Sequence, residues 1–198
     1  MESRKDFFDQ HAPAWDEHHH LAAEAELGGI VKSFGLSEGD SVLDVGTGTG
    51  VLLPFIQKGV GPEGRVVAMD FAFQMLKEAK RRTVPQHKIL VNASVEAIPF
   101  RSNVFDQISC FSSFPHFPNK GRALLEMVRV LKPGGYLSIA HLKSTEELRQ
   151  LHHQVGGAVA HDGLPSPEVL RDMMSRCELT GVTIINQPGK FLARGQKG

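Results

Sequence analysis

Asp44 stands near the end of a short apolar, β-branched run (residues 41–45), and glycine then takes every second position, at Gly46, Gly48 and Gly50. A strand that enters such a loop and then a helix lets a nucleotide-like ligand lie against bare main chain, since glycine carries no Cβ to hold it off. Twenty residues past Gly50 a second apolar run, residues 65–69, also ends in an acid, Asp70. That spacing suits a carboxylate at the tip of the neighbouring strand, accepting both hydroxyls of a ribose. Val51 stands where a dinucleotide fingerprint would carry its third glycine, and no Gly-Lys-Ser/Thr follows to make a phosphate loop. The pattern fits a nucleoside without a pyrophosphate.

The elements that must hold these residues alternate. Strands are expected over residues 41–45, 65–69, 88–91, 105–110 and 136–141, and helices over 51–59, 73–82 and 120–131. Helix 73–82 turns Met75, Leu76 and Ala79 to one face; helix 120–131 does the same with Ala123, Leu124, Met127, Val128 and Leu131. Lys132-Pro133-Gly134-Gly135 stops the latter. Ser144-Thr145-Glu146-Glu147 has capping-box spacing, and Ser166-Pro167 reads as an N-cap with proline in the first turn of a helix ending near Cys177. Residues 182–186 and 191–194 read as a hairpin about Gln187-Pro188-Gly189. Two helices, 3–10 and 21–34, come first. The expectation is one α/β domain, with residues 1–35 as a helical cap and residues 41–198 as a doubly wound, mostly parallel sheet with helices on both faces. Ligands in such a sheet lie beyond the carboxyl ends of the strands. The expected site is therefore residues 44–50, Asp70 with Phe71, 92–96, 110–116 and His141.

Composition narrows the function. Lys and Arg number 22, as do Asp and Glu, so no basic field exists to gather a phosphate backbone, and nucleic acid is a poor partner. No apolar run approaches a membrane span, and the charged start, Glu2-Ser3-Arg4-Lys5-Asp6, does not read as a secretory signal. Cys110 and Cys177 lack Cys-x-x-Cys spacing, which fits a reducing cytoplasm.

The ordered segments resemble class I S-adenosylmethionine-dependent methyltransferases, in particular the branch of ubiquinone/menaquinone-biosynthesis C-methyltransferases. Residues 42–50 look like the family's first motif, and Val67-Ala68-Met69-Asp70 with Gln74-Met75-Leu76 like its second. Glu96-Ala97-Ile98-Pro99-Phe100 before Phe105-Asp106 is similar to its E-A-L-P-F…F-D segment, and residues 129–135 match its R-V-L-K-P-G-G turn. The resemblance implies a seven-stranded sheet with one antiparallel strand in a C-terminal hairpin, and S-adenosyl-L-methionine as cofactor. It implies Gly46, Thr47, Gly48 and Gly50 against the cofactor, Asp44 near its methionine amino group and Asp70 on its ribose. Phe71 and Met75 would flank the adenine, with Ser94, Val95, Glu96 and Phe111 completing the site. Ser94 departs from the family, which often has an acid there to hold the adenine amino group. Residues 109–116 carry no Asn/Asp-Pro-Pro-Tyr box, so exocyclic amines of bases are not the expected acceptors. A small molecule is, with a homodimer left open. Residues near Trp15 would fold over the site as a lid.

Methyl transfer asks the protein to align an acceptor and, where that acceptor carries a proton, to accept it. His116 and His141 follow the fourth and fifth strands and are the candidate bases; each could equally cap its strand end. His18-His19-His20, His141, His152-His153 and His161-Asp162 could supply metal ligands, but neighbouring helical histidines diverge by about 100°, no His-x-x-x-His spacing occurs and His-x-His arises only within the run 18–20, so no metal is expected. Cys110, ending a buried strand, reads as inert and Cys177 as core. Two rivals remain: an NAD-dependent oxidoreductase, disfavoured by Val51, and a non-catalytic module that binds S-adenosylmethionine or a metal.

Overall fold

A computed structural model describes residues 3–18, 24–82 and 89–198. Seven strands form one sheet in the order β3-β2-β1-β4-β5-β7-β6. They are β1 (Ser41–Val45), β2 (Arg65–Asp70), β3 (Ile89–Asn92), β4 (Phe105–Phe111), β5 (Leu131–His141), β6 (Leu179–Gln187) and β7 (Lys190–Lys197). β1 lies parallel between β2 and β4, so chain order reverses at the strand that carries Asp44. β7 inserts antiparallel between β5 and β6, as the C-terminal hairpin implied.

Alternation along the strands separates two cores. Leu43, Val45, Val67 and Met69 pack on one face with Ala123, Leu124 and Met127 of α6 (Lys120–Val130) and Leu170 and Met174 of α8 (Pro167–Arg176). Val42, Val66 and Ala68 face the other way, against Leu27 and Ile30 of α3 (Glu24–Ser33), Phe34 just beyond it, and Leu53 and Ile56 of α4 (Leu53–Val60). Thus α3, within the stretch expected as a cap, belongs to the sheet's own layers. Its expected first turn and part of the run His18-His19-His20 fall outside the described residues, as does Lys88, the first residue of the expected third strand.

A third, smaller cluster joins the N-terminal segment to the carboxyl edge of the sheet. Phe7, Phe8 and Ala12 pack with Ala72, Met75 and Val159. They lie on and just after α1 (Arg4–His11), whose N-cap is Ser3; α2 (Trp15–His18) follows a single 3-10 turn. Opposite them is α5 (Phe73–Arg82).

The strand and helix boundaries differ from expectation at two informative places. β5 begins at Leu131, five residues early: Leu131 pairs with Phe105, residues 132–135 bulge outward, and Tyr136 resumes against Gln107. Pairing across the bulge makes the helix stop part of a strand. β6 begins at Leu179, because a break in register between Thr180 and Thr183 interrupts the alternation that marks a strand. α7 (Thr145–Val155) starts at the expected capping box, with Ser144 and Glu147 each bonding the other's main chain.

Candidate active site

The glycine loop is built by the ends of three strands. The Gly46 and Thr47 N–H groups donate to Met69 O (2.8 and 3.0 Å), which folds the loop across the tip of β2. Asp70 then bridges loop and helix: one carboxylate oxygen accepts from Gly48 N (2.8 Å), the other from Ala72 N (2.9 Å) at the entry to α5. From β3, the Asn92 amide holds the Asp70 and Phe71 carbonyls. Burial pushes the Asp70 carboxyl up to about 6, against the pull of its two N–H donors. Asp44 is buried as well and raised by that burial, with the Ser109 hydroxyl donating to it at 2.7 Å.

Two glycines of the loop serve different ends. A Cβ on Gly46 would stand 2.4 Å from the Ser113 Cβ, so its absence is needed for β1 and β4 to meet. Ser113 itself donates to Val45 O at 3.0 Å. Gly48 has φ +55°, yet a Cβ there would meet nothing within 4 Å. Its bare face opens onto space that a ligand can fill. Beside it the Thr47 hydroxyl is buried near the Asp44 carboxylate, whose charged form it favours, with no hydrogen bond of close geometry. An open cradle at Gly48, a buried hydroxyl and two carboxylates suit a nucleoside that carries an amino acid.

Around this centre the other expected residues fall as follows. Met75 is buried in the cluster with Phe8, and Phe71 stands edge-on to Phe8 at 5.9 Å. Phe111 is half-buried at the end of β4. The Ser94 hydroxyl caps the short turn Val95–Ala97 by accepting from Glu96 N, and Val95 is buried. The Glu96 carboxylate accepts from Asn119 N (2.9 Å), so it holds this turn to the start of α6.

The two candidate bases have different surroundings. His141 is buried, 1% exposed, and neither ring nitrogen has a partner; burial first, then nearby His116 and His152, lower it to about 3. His116 has a carboxylate on its Nδ1, Asp162 Oδ2 at 2.8 Å. Burial lowers its basicity too, partly offset by that carboxylate. Asp162 also takes the Arg4 guanidinium at 2.5 Å, and these two donors outweigh burial to hold it at about 2. Cys110 is fully buried and pushed up to about 12, an inert thiol; Cys177 is free and buried. Among the described residues no group of three or more His, Cys, Asp or Glu is arranged to hold a metal.

Sequence reasoning missed the ties that close the N-terminal segment over the loop. Asp16 accepts the Thr49 hydroxyl (2.7 Å) and pairs with Arg82, while Asp9 caps α5 through Gln74 N (2.8 Å). Arg4 and Asp162 lie 158 residues apart, and no local pattern marks such a pair.

Comparison with known proteins agrees with this geometry. A methyltransferase-domain family model matches residues 43–139. The ubiquinone/menaquinone biosynthesis C-methyltransferase of Edwardsiella ictaluri is 31% identical over 191 residues, covering 82% of this chain and 76% of that protein. The demethylmenaquinone methyltransferase of Staphylococcus aureus is 37% identical over 107 residues, but the match spans only 54% of this chain and 44% of that enzyme. A crystal structure of a SAM-dependent methyltransferase from Aquifex aeolicus superposes with a TM-score of 0.72 at 26% identity, covering 94% of this chain and 98% of that one. Sheet order and glycine loop define a nucleoside-binding α/β enzyme. The chain belongs to the class I S-adenosylmethionine-dependent methyltransferases. Its cofactor is S-adenosylmethionine, and its activity is methyl transfer.

Proposed function

We propose that the acceptor is a hydroxylated aromatic ring of the quinol type and that His116 receives its proton. The observation that carries this reading is the group of flat rings beside the loop. Phe8 stands 5.1 Å from His116, 5.5 Å from Trp15 and 5.9 Å from Phe71, ring centre to ring centre. Such rings favour a flat, apolar acceptor. Likeness to the Edwardsiella C-methyltransferase supports the same class.

Bound S-adenosylmethionine supplies an electrophilic methyl on a sulfonium, set for in-line displacement. Around it, the reading gives Asp70 the ribose hydroxyls, Asp44 and Thr47 the methionine end, and Gly48 the close main-chain approach, with Gly46 and Gly50 packed against Ser113 and Ala79 to shape the loop beside the cofactor. Phe71, Met75, Ser94, Val95, Glu96 and Phe111 form the adenine side. The cap of α1 and α2 excludes water from the acceptor. A reducing cytosol fits the two free cysteines.

The test is transfer of labelled methyl from S-adenosylmethionine to a panel of hydroquinones, simple phenols and aliphatic amines. Hydroquinones turned over in preference support the reading; preference for amines sinks it. His116→Ala should lower turnover by about 10²-fold or more with cofactor affinity kept, the loss expected for a general base.

A further inference from the structure

We propose that Asp162 is a positioning residue for methyl transfer: its carboxylate fixes the His116 ring with Nδ1 protonated, so that Nε2 offers its lone pair to the acceptor's proton. The proposal deepens the methyl-transfer reading above and does not depend on which acceptor is used.

The geometry is that of a held carboxylate. Asp162 Oδ1 receives Arg4 Nη2 at 2.5 Å, and Arg4 Nε lies 3.1 Å from both oxygens. Oδ2 meets His116 Nδ1 at 2.8 Å. The Asp162 carbonyl takes His152 Nδ1 at 2.7 Å, and its N–H donates to Val159 O at 2.9 Å. An ionised carboxylate can only accept. The nitrogen it touches must therefore carry hydrogen, and in a neutral ring the other nitrogen is then the acceptor. Nothing among the described residues hydrogen-bonds His116 Nε2, and the side chain keeps 12% of its surface exposed. Phe8 meets the ring edge-on and His152 packs 4.9 Å away, so the ring cannot turn freely.

The step balances as follows. The acceptor atom forms its bond to the methyl carbon while the S–CH3 bond breaks and leaves its electron pair on sulfur. The acceptor's proton passes to His116 Nε2. The imidazolium so formed sits against the ionised Asp162, which stays ionised. Arg4 lies on the cap, so the carboxylate is fully held only while α1 covers the site. The charged or titratable groups around His116 are Asp162, Arg4 of α1, His152 of α7, His141 of β5 and Lys120 of α6.

Nitrogen–proton correlation spectra of the imidazoles in the full chain, with His116 assigned by its loss in His116→Ala, read the tautomer directly and need no turnover. The wild type should show His116 as the Nδ1–H form, and Asp162→Asn should convert a large part of it to the Nε2–H form. Asp162→Ser reads the same quantity if the Asn variant does not fold. Arg4→Met, which keeps the carboxylate, should retain the Nδ1–H form. With a hydroquinone that is turned over, Asp162→Asn should lower kcat by about 10²-fold at unchanged KM for S-adenosylmethionine. Its acidic limb should move to lower pH, because the imidazolium has lost its counter-charge, and Asp162→Glu should recover part of the rate. An unchanged tautomer and limb in Asp162→Asn overturns the proposal. So does turnover abolished by chelation and restored by zinc, which would make Nε2 a metal ligand. Full activity in His116→Ala would instead refute the base itself, whereas full activity in Asp162→Asn alone refutes only the positioning role.

Discussion

Asp16 of α2 accepts the Thr49 hydroxyl at 2.7 Å, and its other oxygen pairs with Arg82 of α5. One carboxylate thus ties the cap both to the glycine loop and to the helix beyond it. We expect cofactor exchange to part these bonds. Asp16→Ala is expected to speed release of S-adenosylhomocysteine by about 10-fold, on the scale of one or two hydrogen bonds to a partly exposed charge. Stopped-flow fluorescence of Trp15, the single tryptophan, measures it. Unchanged release would mean that the cap opens elsewhere.

Asp70 should give opposite pH responses in the free and loaded protein. Its folded carboxyl, raised by burial to about 6, lies above the unfolded value of 3.8. The folded chain binds the extra proton between those values, so its stability falls as pH rises through that window, by up to about 3 kcal/mol. Asp70→Asn, whose amide does not titrate, should therefore remove this pH dependence from the melting temperature of the free protein. In the proposed ribose role the ionised carboxylate accepts both hydroxyls, so S-adenosylmethionine affinity should weaken as pH falls below about 6, and Asp70→Asn should lose it at neutral pH. Calorimetry and thermal melts across pH 5–8 check both; an Asn variant that binds normally removes Asp70 from the ribose.

The two loop glycines should separate fold from binding. Gly46→Ala places its methyl 2.4 Å from the Ser113 Cβ and should destabilise the whole chain by several kcal/mol. Gly48→Ala meets open space and pays only the left-handed backbone cost of about 1–2 kcal/mol. It should stay folded yet lose S-adenosylmethionine. Normal binding by folded Gly48→Ala would show that the cofactor does not use that face.

His141, with two unpartnered buried nitrogens and a folded pKa of about 3, is an acid liability. The unfolded chain takes up a proton below the ordinary 6.5, and the folded chain does not until about 3. Its contribution is complete above about 6.5 and is lost as pH falls through that interval. His141→Leu should therefore raise the melting temperature more at pH 5 than at pH 8. An equal rise at both would mean that the ring is already protonated or hydrated.

The sequence motifs proved legible because they are structural ties as much as chemistry. Arg129 of the R-V-L-K-P-G-G turn donates to Ile98 O and Phe100 O of the E-A-I-P-F segment, while Glu126 takes Ile98 N. Lys132 reaches Asp106, which in turn accepts from Ser41 N at the start of β1. Each end of these bonds falls inside a short local motif, so the sheet and glycine loop could be read directly even though the bonds cross 26 to 65 residues. The acceptor side could not. Arg4, His116, His152 and Asp162 come from four separate elements, and only the folded chain reveals that two histidines share one aspartate. Glu96 illustrates the opposite limit: a motif glutamate at the site's edge spends its carboxylate on the Asn119 main chain.

β7 fits between β5 and β6 although it is translated after both. While the ribosome is still making β7, His141 sits on an open sheet edge, and β6 has no strand to pair with. Every other strand of the sheet is synthesised before that gap can be filled. Assembly is then a late, long-range event of the kind that folds slowly and exposes apolar strand edges meanwhile. A nascent chain stalled a few residues short of β7 should be a target for chaperones, even with its glycine loop fully translated.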